Sequence, residues 1–236
     1  MRKITYILLV FGLLCSVTAC GKQEEPKNMA EPTGSRQDVT VEKASESSRG
    51  KNEHILIAYF TWAENTSVSD PDSVDVDATT SASVLMPGNV GLLAKWIQEE
   101  TGGDVFSIVT EKPYSSDYDD CLDRAVTEHD EGIHPRITNH VENMEKYDTV
   151  FLGFPNWWYS CPMAILTFIE EHDLSGKTIV PFCSHGTGGF AASLQDIGKA
   201  LPDDCVVLEE FGAYRPEVAD SKDELLEWLS ELDIPY

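Results

Sequence analysis

Residues 147–162 read YDTVFLGFPNWWYSCP, an apolar run that changes abruptly into a polar and aromatic segment. The apolar part, 149–154, is continuous rather than alternating and is rich in β-branched and aromatic side chains, which predicts a strand buried on both faces. Pro155 ends this strand. The three aromatic side chains that follow in 156–159 then lie on a loop, where they either cover a hydrophobic edge or hold a flat ligand.

Working outward from this strand, apolar runs alternate with segments of helical spacing. Strands are predicted at 54–60, 105–109, 149–154, 178–182 and 205–208, and helices at 90–101, 118–128, 162–171, 190–200 and 222–232. Five strands that alternate with helices predict an α/β fold, a parallel sheet with helices on both faces. A polar insertion, 68–87, interrupts the alternation after the first strand.

The first fifty residues differ in composition from the rest of the chain. Arg2 and Lys3 precede an apolar run, 4–14, which predicts a secretory signal peptide over 1–19. The ending Val17-Thr18-Ala19-Cys20 resembles a bacterial lipobox, so we expect Cys20 to be lipidated; an ordinary signal peptide cut nearby, or an uncut anchor, is the alternative. Residues 20–52 are polar enough to form a disordered tether. The folded domain is therefore predicted over 53–236.

The formal net charge of −24 excludes some classes of partner. So acidic a surface repels nucleic acid and anionic lipid headgroups, and favours cations or basic partners. Of the six cysteines, four lie in the predicted folded domain: Cys121, Cys161, Cys183 and Cys205. Their spacing is not that of a zinc site, and the acidic insertion lacks the pattern of a calcium loop, so we expect no metal. An extracytoplasmic location would permit disulfides, and the sequence leaves their pairing open.

Three predicted loops carry the chemistry. In a parallel sheet the segments after the carboxyl ends of the strands share one edge, so those after the first, third and fourth strands become neighbours. The first, 61–67, offers hydroxyl, amide and backbone N–H groups suited to a phosphate. The third-strand loop supplies aromatic faces, and the fourth, 183–189, combines glycines with Ser184 and His185. Together they predict a site for a phosphorylated planar ligand.

The motifs in these loops resemble those of the flavodoxin-like family. The first loop reads Tyr59-Phe60-Thr61-Trp62-Ala63-Glu64-Asn65-Thr66; GFPNWW follows at 153–158, SGKT at 175–178 and PFCSHG at 181–186. The resemblance implies a doubly wound, five-stranded parallel sheet in the order 2-1-3-4-5, and FMN as cofactor. It assigns these residues to FMN: Thr61, Trp62, Ala63, Asn65, Thr66, Pro155, Asn156, Trp157, Trp158, Tyr159, Cys183, Ser184, His185, Gly186, Gly188 and Gly189.

Two features depart from the family pattern. Glu64 stands where relatives often carry glycine, and a carboxylate about 4 Å from a phosphate would cost about 4 kcal/mol at an effective dielectric near 20. We therefore expect Glu64 to point away from the site. The insertion 68–87 separates the phosphate loop from the following helix, and we hypothesise that it folds over the site as a lid.

The resemblance implies an FMN-dependent electron carrier, or an oxidoreductase that reduces a small acceptor such as a quinone. Its partner would be a redox protein or a small molecule, and its only membrane contact the lipid anchor on the extracytoplasmic face. An acidic rim would disfavour the negatively charged reduced flavin. Cys161 and Cys183 could form a redox-active disulfide nearby, or remain structural thiols. The alternative function is a binding module that keeps the fold without the cofactor.

Overall fold

The computed structural model describes residues 54–80 and 83–236. The signal peptide predicted for 1–19, the tether predicted for 20–52 and the lipidation predicted at Cys20 lie outside the described residues. Within the described part, no helix combines the length and apolar composition that a membrane crossing requires. In the same residues, no group of His, Cys, Asp and Glu side chains is arranged to hold a metal ion.

The strands form one parallel sheet. Their bounds are β1 Ile55–Tyr59, β2 Asp104–Ser107, β3 Thr149–Pro155, β4 Thr178–His185, β5 Val206–Val207 and β6 Phe211–Tyr214. Strands β1 to β5 follow the order β2-β1-β3-β4-β5, and β6 pairs with β4. The predicted order is confirmed. The predicted continuous burial of the third strand is also present, since every residue of β3 is buried.

The sheet has a sixth strand that the sequence analysis did not predict. β5 pairs only with the start of β4, at Thr178 and Ile179, and β6 pairs with its end, from Phe182 to His185. An eight-residue β4 is long enough for two successive segments to bond along the same edge. For the same reason the predicted end of the fourth strand at Phe182 is wrong. Bonded on both sides by β3 and β6, β4 continues to His185.

Helices cover both faces of the sheet, as predicted. They are α1 Val76–Thr80, α2 Asn89–Thr101, α3 Tyr118–Glu131, α4 Met163–Glu171, α5 Ser193–Ala200 and α6 Lys222–Glu231. Successive strand residues point to opposite faces, so Ile55 and Ile57 pack with α2 and α6, whereas Leu56 and Ala58 pack with α3, α4 and α5. Two hydrophobic cores therefore enclose the sheet, and only its edges and strand ends are open to a ligand.

The described part of the insertion 68–87 contains helical turns rather than forming a simple polar loop. It contains a 3-10 turn, Pro71–Ser73, and the short helix α1. Ala78 and Val84 are fully buried in the core that includes Phe60 and Trp62. These apolar contacts, which the acidic composition of the insertion obscured, fix it against the body of the domain.

Candidate functional site

A cavity lies at the carboxyl edge of the sheet, where the segments after β1, β3 and β4 meet. Its lining consists of Thr61, Trp62, Asn89, Val90, Tyr118, Cys121, Leu122, Ala125, Pro155, Asn156, Trp157, Trp158, Ser184, Gly186 and Arg215. All three loops that the sequence singled out contribute to it. No described residue of the insertion 68–87 lines the cavity, so the lid hypothesis stays a prediction.

Half of the predicted site residues line this cavity: Thr61, Trp62, Pro155, Asn156, Trp157, Trp158, Ser184 and Gly186. The structure places the others outside the lining: Ala63, Asn65, Thr66, Tyr159, Cys183, His185, Gly188 and Gly189. Strand geometry explains which residues at the end of β4 line the cavity, because successive residues point to opposite sides of the sheet. Ser184 and Gly186 therefore line the cavity, whereas Cys183 is fully buried in the core and the His185 ring packs toward Phe190.

Asn65, predicted to bind phosphate, is instead a buried structural residue. Its Nδ2 donates to the carbonyl oxygens of Thr61 and Ile108, each at 3.0 Å. Its Oδ1 accepts from the backbone N–H of Thr110 at 2.8 Å and from the Thr110 hydroxyl at 3.0 Å. Every polar atom of the side chain is thus used within the protein. Thr66 is engaged in the same way, because its hydroxyl donates to the Tyr114 carbonyl at 2.9 Å.

Glu64 points away from the cavity, as expected. Its carboxylate accepts a hydrogen bond from the Tyr59 hydroxyl at 2.8 Å and another from the Ser107 hydroxyl. Burial, followed by the hydrogen bond to Glu64, raises the pKa of Tyr59, so Tyr59 remains a donor at physiological pH. The carboxylate is therefore held on neighbouring strands and does not oppose an anion in the cavity.

The N-terminus of α2 faces the cavity despite the insertion. Gly88 precedes the helix at φ +72°, and a Cβ added there would lie 2.3 Å from the Thr61 hydroxyl oxygen. This close approach brings the first turn of α2 beside the first loop. The N–H groups of a first helical turn have no acceptors within the helix and carry a partial positive charge. Together with the Thr61 hydroxyl, they form the donor set that an anion requires.

Asn89 connects this helix to the far side of the sheet. Its Nδ2 donates to the Ser184 hydroxyl and to the Arg215 carbonyl, each at 3.1 Å, and its Oδ1 accepts from Ser83 at 3.1 Å. The side chain thus ties α2 to the ends of β4 and β6 and to the insertion. The relative positions of these cavity walls are fixed by hydrogen bonds.

Trp157 forms the aromatic wall of the cavity and belongs to an aromatic cluster. Its ring lies edge-on to those of Phe60 at 5.2 Å, Trp62 at 6.2 Å and Tyr114 at 5.1 Å between centroids. The Trp62 indole N–H donates to the Ser115 carbonyl at 3.0 Å. These contacts hold Trp157 in one orientation. The part of its surface that is not packed against other rings lines the cavity.

Trp158 and Tyr159 occupy the tip of a strained two-residue turn. Trp157 and Ser160 exchange backbone hydrogen bonds of 2.8 and 3.0 Å across it. Both tip residues have positive φ, +47° and +63°. Such a turn favours Asn-Gly, and a bulky aromatic residue at positive φ is unusual. Both rings are also exposed, at 41% and 68%. Strain of this kind concentrates at functional sites, so we assign the turn to ligand or partner contact.

Replacing Trp158 by asparagine together with Tyr159 by glycine is expected to stabilise the protein by about 1 to 2 kcal/mol, because both residues then adopt positive φ readily. Chemical denaturation of the ligand-free protein measures the change. The single Tyr159→Gly variant serves as comparison and should recover about half of the gain. A loss of stability in the double variant would contradict the assignment of strain.

Sequence reasoning missed two parts of the lining. One face of α3 contributes Tyr118, Cys121, Leu122 and Ala125, whose apolar spacing indicated only a buried stripe. Burial raises the pKa of the Cys121 thiol to about 12, so it is protonated and unreactive at neutral pH. Arg215 follows β6, the strand that was not predicted.

Cys161 and Cys183 are free, buried thiols, so the redox disulfide that the sequence left open is not formed here.

A family profile described as flavodoxin matches residues 78–232, more than half of the chain. The match begins after β1 and the first loop and includes the other strands. No curated protein matches the chain.

Several solved structures share the fold. A Bacteroides eggerthii DSM 20697 protein, provisionally described as a flavoprotein, is 28% identical with a TM-score of 0.56; the match covers 78% of this chain and 100% of that one. A Bacteroides uniformis ATCC 8492 protein with the same provisional description is 23% identical and has a TM-score of 0.53; the match covers 77% of this chain and 100% of that one.

A third structure is a Lactobacillus acidophilus NCFM flavoprotein in complex with FMN. It is 17% identical with a TM-score of 0.49, and the match covers 72% of this chain and 98% of that one. That similarity is too low to transfer a ligand to this chain. The family match and the sheet order, in contrast, are independent and agree. The chain therefore belongs to the flavodoxin family.

Proposed function

We propose that this chain binds FMN in the cavity at the carboxyl edge of the sheet and functions as an electron-transfer flavoprotein or a flavin-dependent reductase of a small acceptor such as a quinone. One observation carries the proposal. A single cavity combines the N-terminus of α2 and the Thr61 hydroxyl with an aromatic wall at Trp157, and its lining, over the part of the chain that the structure describes, includes no carboxylate. When bound, FMN supplies one-electron and two-electron chemistry.

The residues of the chain would hold the two ends of the cofactor differently. The first turn of α2 and Thr61 would bind the phosphate, with Gly88 leaving space that any side chain would fill. The flavin ring would lie between Trp157 and Trp158 on one side and the backbone from Ser184 to Gly186 on the other. Stacking on an indole would contribute about 0.5 to 1.5 kcal/mol beyond burial. The same walls would exclude water from the ring.

Titration of the purified full-length chain with flavins, followed by flavin absorbance and fluorescence, tests the proposal. We expect FMN to bind about tenfold or more tightly than riboflavin, because only FMN can use the helix N-terminus. The control is Gly88→Ala, whose Cβ would occupy the space beside Thr61 and should lower FMN affinity more than riboflavin affinity. A protein that stays colourless with either flavin would instead support a cofactor-free binding module.

We also propose that the chain acts at the extracytoplasmic face of a bacterial membrane, anchored through a lipid on Cys20. The support is the predicted signal peptide and the lipobox-like sequence before Cys20. An anchored carrier would exchange electrons with a redox protein or with a membrane-soluble acceptor. Cells fed a labelled fatty acid should incorporate the label into the unmodified chain and not into the Cys20→Ala variant, and an unlabelled unmodified chain would contradict lipid anchoring.

A further inference from the structure

The described lining of the cavity has one charged side chain, and its sign is opposite to that of the protein. The formal net charge of the chain is −24, yet among the described residues the lining includes Arg215 and no Asp or Glu. Among the described residues, no carboxylate forms an ion pair with the Arg215 guanidinium. A cation without a partner in so acidic a chain indicates that its counter-charge comes from whatever occupies the cavity.

Arg215 is held by the sheet and not by a loop alone. Its backbone N–H donates to the His185 carbonyl at 2.8 Å, and its carbonyl accepts from Asn89 at 3.1 Å. The guanidinium lies against Gly186, where an added Cβ would be 3.5 Å from Cζ and from one terminal nitrogen. The backbone of Arg215 is therefore held by β4 and α2, and its guanidinium lies against Gly186.

The guanidinium lies on the β4 side of the cavity. Gly186 lies two residues beyond Ser184, and Ser184 is the register partner of Pro155, where the aromatic segment begins. Under the proposed function, these two segments enclose the flavin ring, whereas Thr61 and Gly88 receive the phosphate. The guanidinium is thus beside the segment that flanks the ring.

We propose that Arg215 stabilises negative charge on the flavin ring and makes the bound flavin a stronger electron acceptor than the acidic surface would allow. This inference rests on the proposed function. Reduction leaves negative charge on the ring, and a cation held beside it at low dielectric favours that charge. The acidic rim expected from composition acts in the opposite direction, from a greater distance and with more solvent screening.

Sulfite is a suitable probe of this charge. It adds to N5 of an oxidised flavin through its own lone pair, forming an N–S bond and bleaching the visible absorbance. Both bonding electrons come from sulfite, the ring takes one negative charge, and no proton or leaving group is needed. A fixed cation near the ring should therefore tighten sulfite binding, and the effect can be measured without any electron donor or acceptor protein.

The test titrates sulfite into the FMN-loaded full-length chain. We expect Arg215→Gln and Arg215→Met to weaken sulfite binding by about tenfold, and Arg215→Lys to remain within about threefold of the unmodified chain. Arg136→Gln is the matched control. It removes one positive charge from an exposed residue outside the cavity, paired with Glu111 at 3.4 Å, and should change sulfite binding by less than about twofold.

The possible outcomes separate the inference from the function on which it rests. If the unmodified chain fails to bind FMN, the proposed function is wrong. If it binds FMN but Arg215→Gln and Arg215→Met bind sulfite normally, the role assigned to Arg215 is wrong. Weaker binding of FMN but not riboflavin, with unchanged sulfite affinity, would identify Arg215 as a phosphate ligand and overturn the inference. Since Gln and Met differ in polarity, at least one should preserve the fold.

Discussion

Replacing Asn65 by alanine is expected to lower the free energy of unfolding by about 3 kcal/mol, even in the absence of any cofactor. The side chain is almost fully buried, and its amide makes four hydrogen bonds to Thr61, Ile108 and Thr110. Alanine would leave two carbonyls and one N–H group without these partners, and water has little access to replace them. Chemical denaturation of the ligand-free chain measures the loss.

The appropriate control is Asn139→Ala. Asn139 is only partly buried and makes two such bonds, one of 2.8 Å to the Ser107 carbonyl and a long one of 3.4 Å from the Val109 N–H. Its loss should cost about 1 kcal/mol. If Asn65→Ala destabilises the ligand-free protein no more than Asn139→Ala, but abolishes FMN binding, Asn65 is a phosphate ligand after all. The structural role described above would then be wrong.

Replacing Trp157 by alanine should have the largest combined effect on stability and cofactor binding. The ring packs edge-on against Phe60, Trp62 and Tyr114, and its removal would leave a space at the mouth of the core. We expect a loss of about 2 to 3 kcal/mol in the free energy of unfolding, less than for a fully buried tryptophan. FMN affinity should fall by tenfold or more, because the ring also forms the cavity wall.

Trp158→Ala provides the comparison for Trp157. This neighbouring ring is 41% exposed and lies on the strained turn, so its removal should change stability by less than about 0.5 kcal/mol. FMN affinity should still fall, because Trp158 also lines the cavity. Denaturation and FMN titration of both variants distinguish packing from ligand contact. Equal losses of stability in the two variants would contradict the division of roles between these tryptophans.

The two tryptophans illustrate how neighbouring residues in one motif acquire different tasks. Trp157 completes an aromatic cluster with residues from the segment after β1 and from the segment before α3. Trp158 and Tyr159 make no comparable contacts and are displayed by a turn whose backbone suits neither of them. Their exposure at the cavity rim is consistent with contact to the ring or to a redox partner.

Arg215 changes the electrostatic expectation for the site. Composition predicts a repulsive field for a reduced flavin, and the overall charge of −24 supports that view at long range. The local lining is different, since a single guanidinium faces the cavity and Glu64 is turned toward Tyr59 and Ser107. A charge that lines a cavity is screened less than the many charges on the surface, so it has the larger effect on a ligand bound there.

Much of the fold could be predicted from local sequence. Buried parallel strands require long apolar runs, and the runs at 54–60 and 149–154 are too continuous for any half-exposed element. Once those strands were assigned, the rule that ligands bind at the carboxyl edge located the site. β6 could not be predicted in this way. Its four residues, Phe211 to Tyr214, include a glycine and depend on the long β4 as a template.

The sequence by itself determined the α/β class and the edge at which the cavity lies, because these follow from hydrophobic periodicity and from the chirality of parallel crossovers. The sheet order came from the resemblance of the chain's motifs to those of the flavodoxin-like family. Only the tertiary structure decided which polar residues face the cavity. Asn65, Thr66 and Glu64 satisfy hydrogen bonds with partners more than forty residues away in sequence. Arg215 reaches the cavity through β6, a strand that also depends on a non-local partner, the end of β4. A motif specifies residue types, whereas the direction of each side chain depends on partners that only the folded chain brings together.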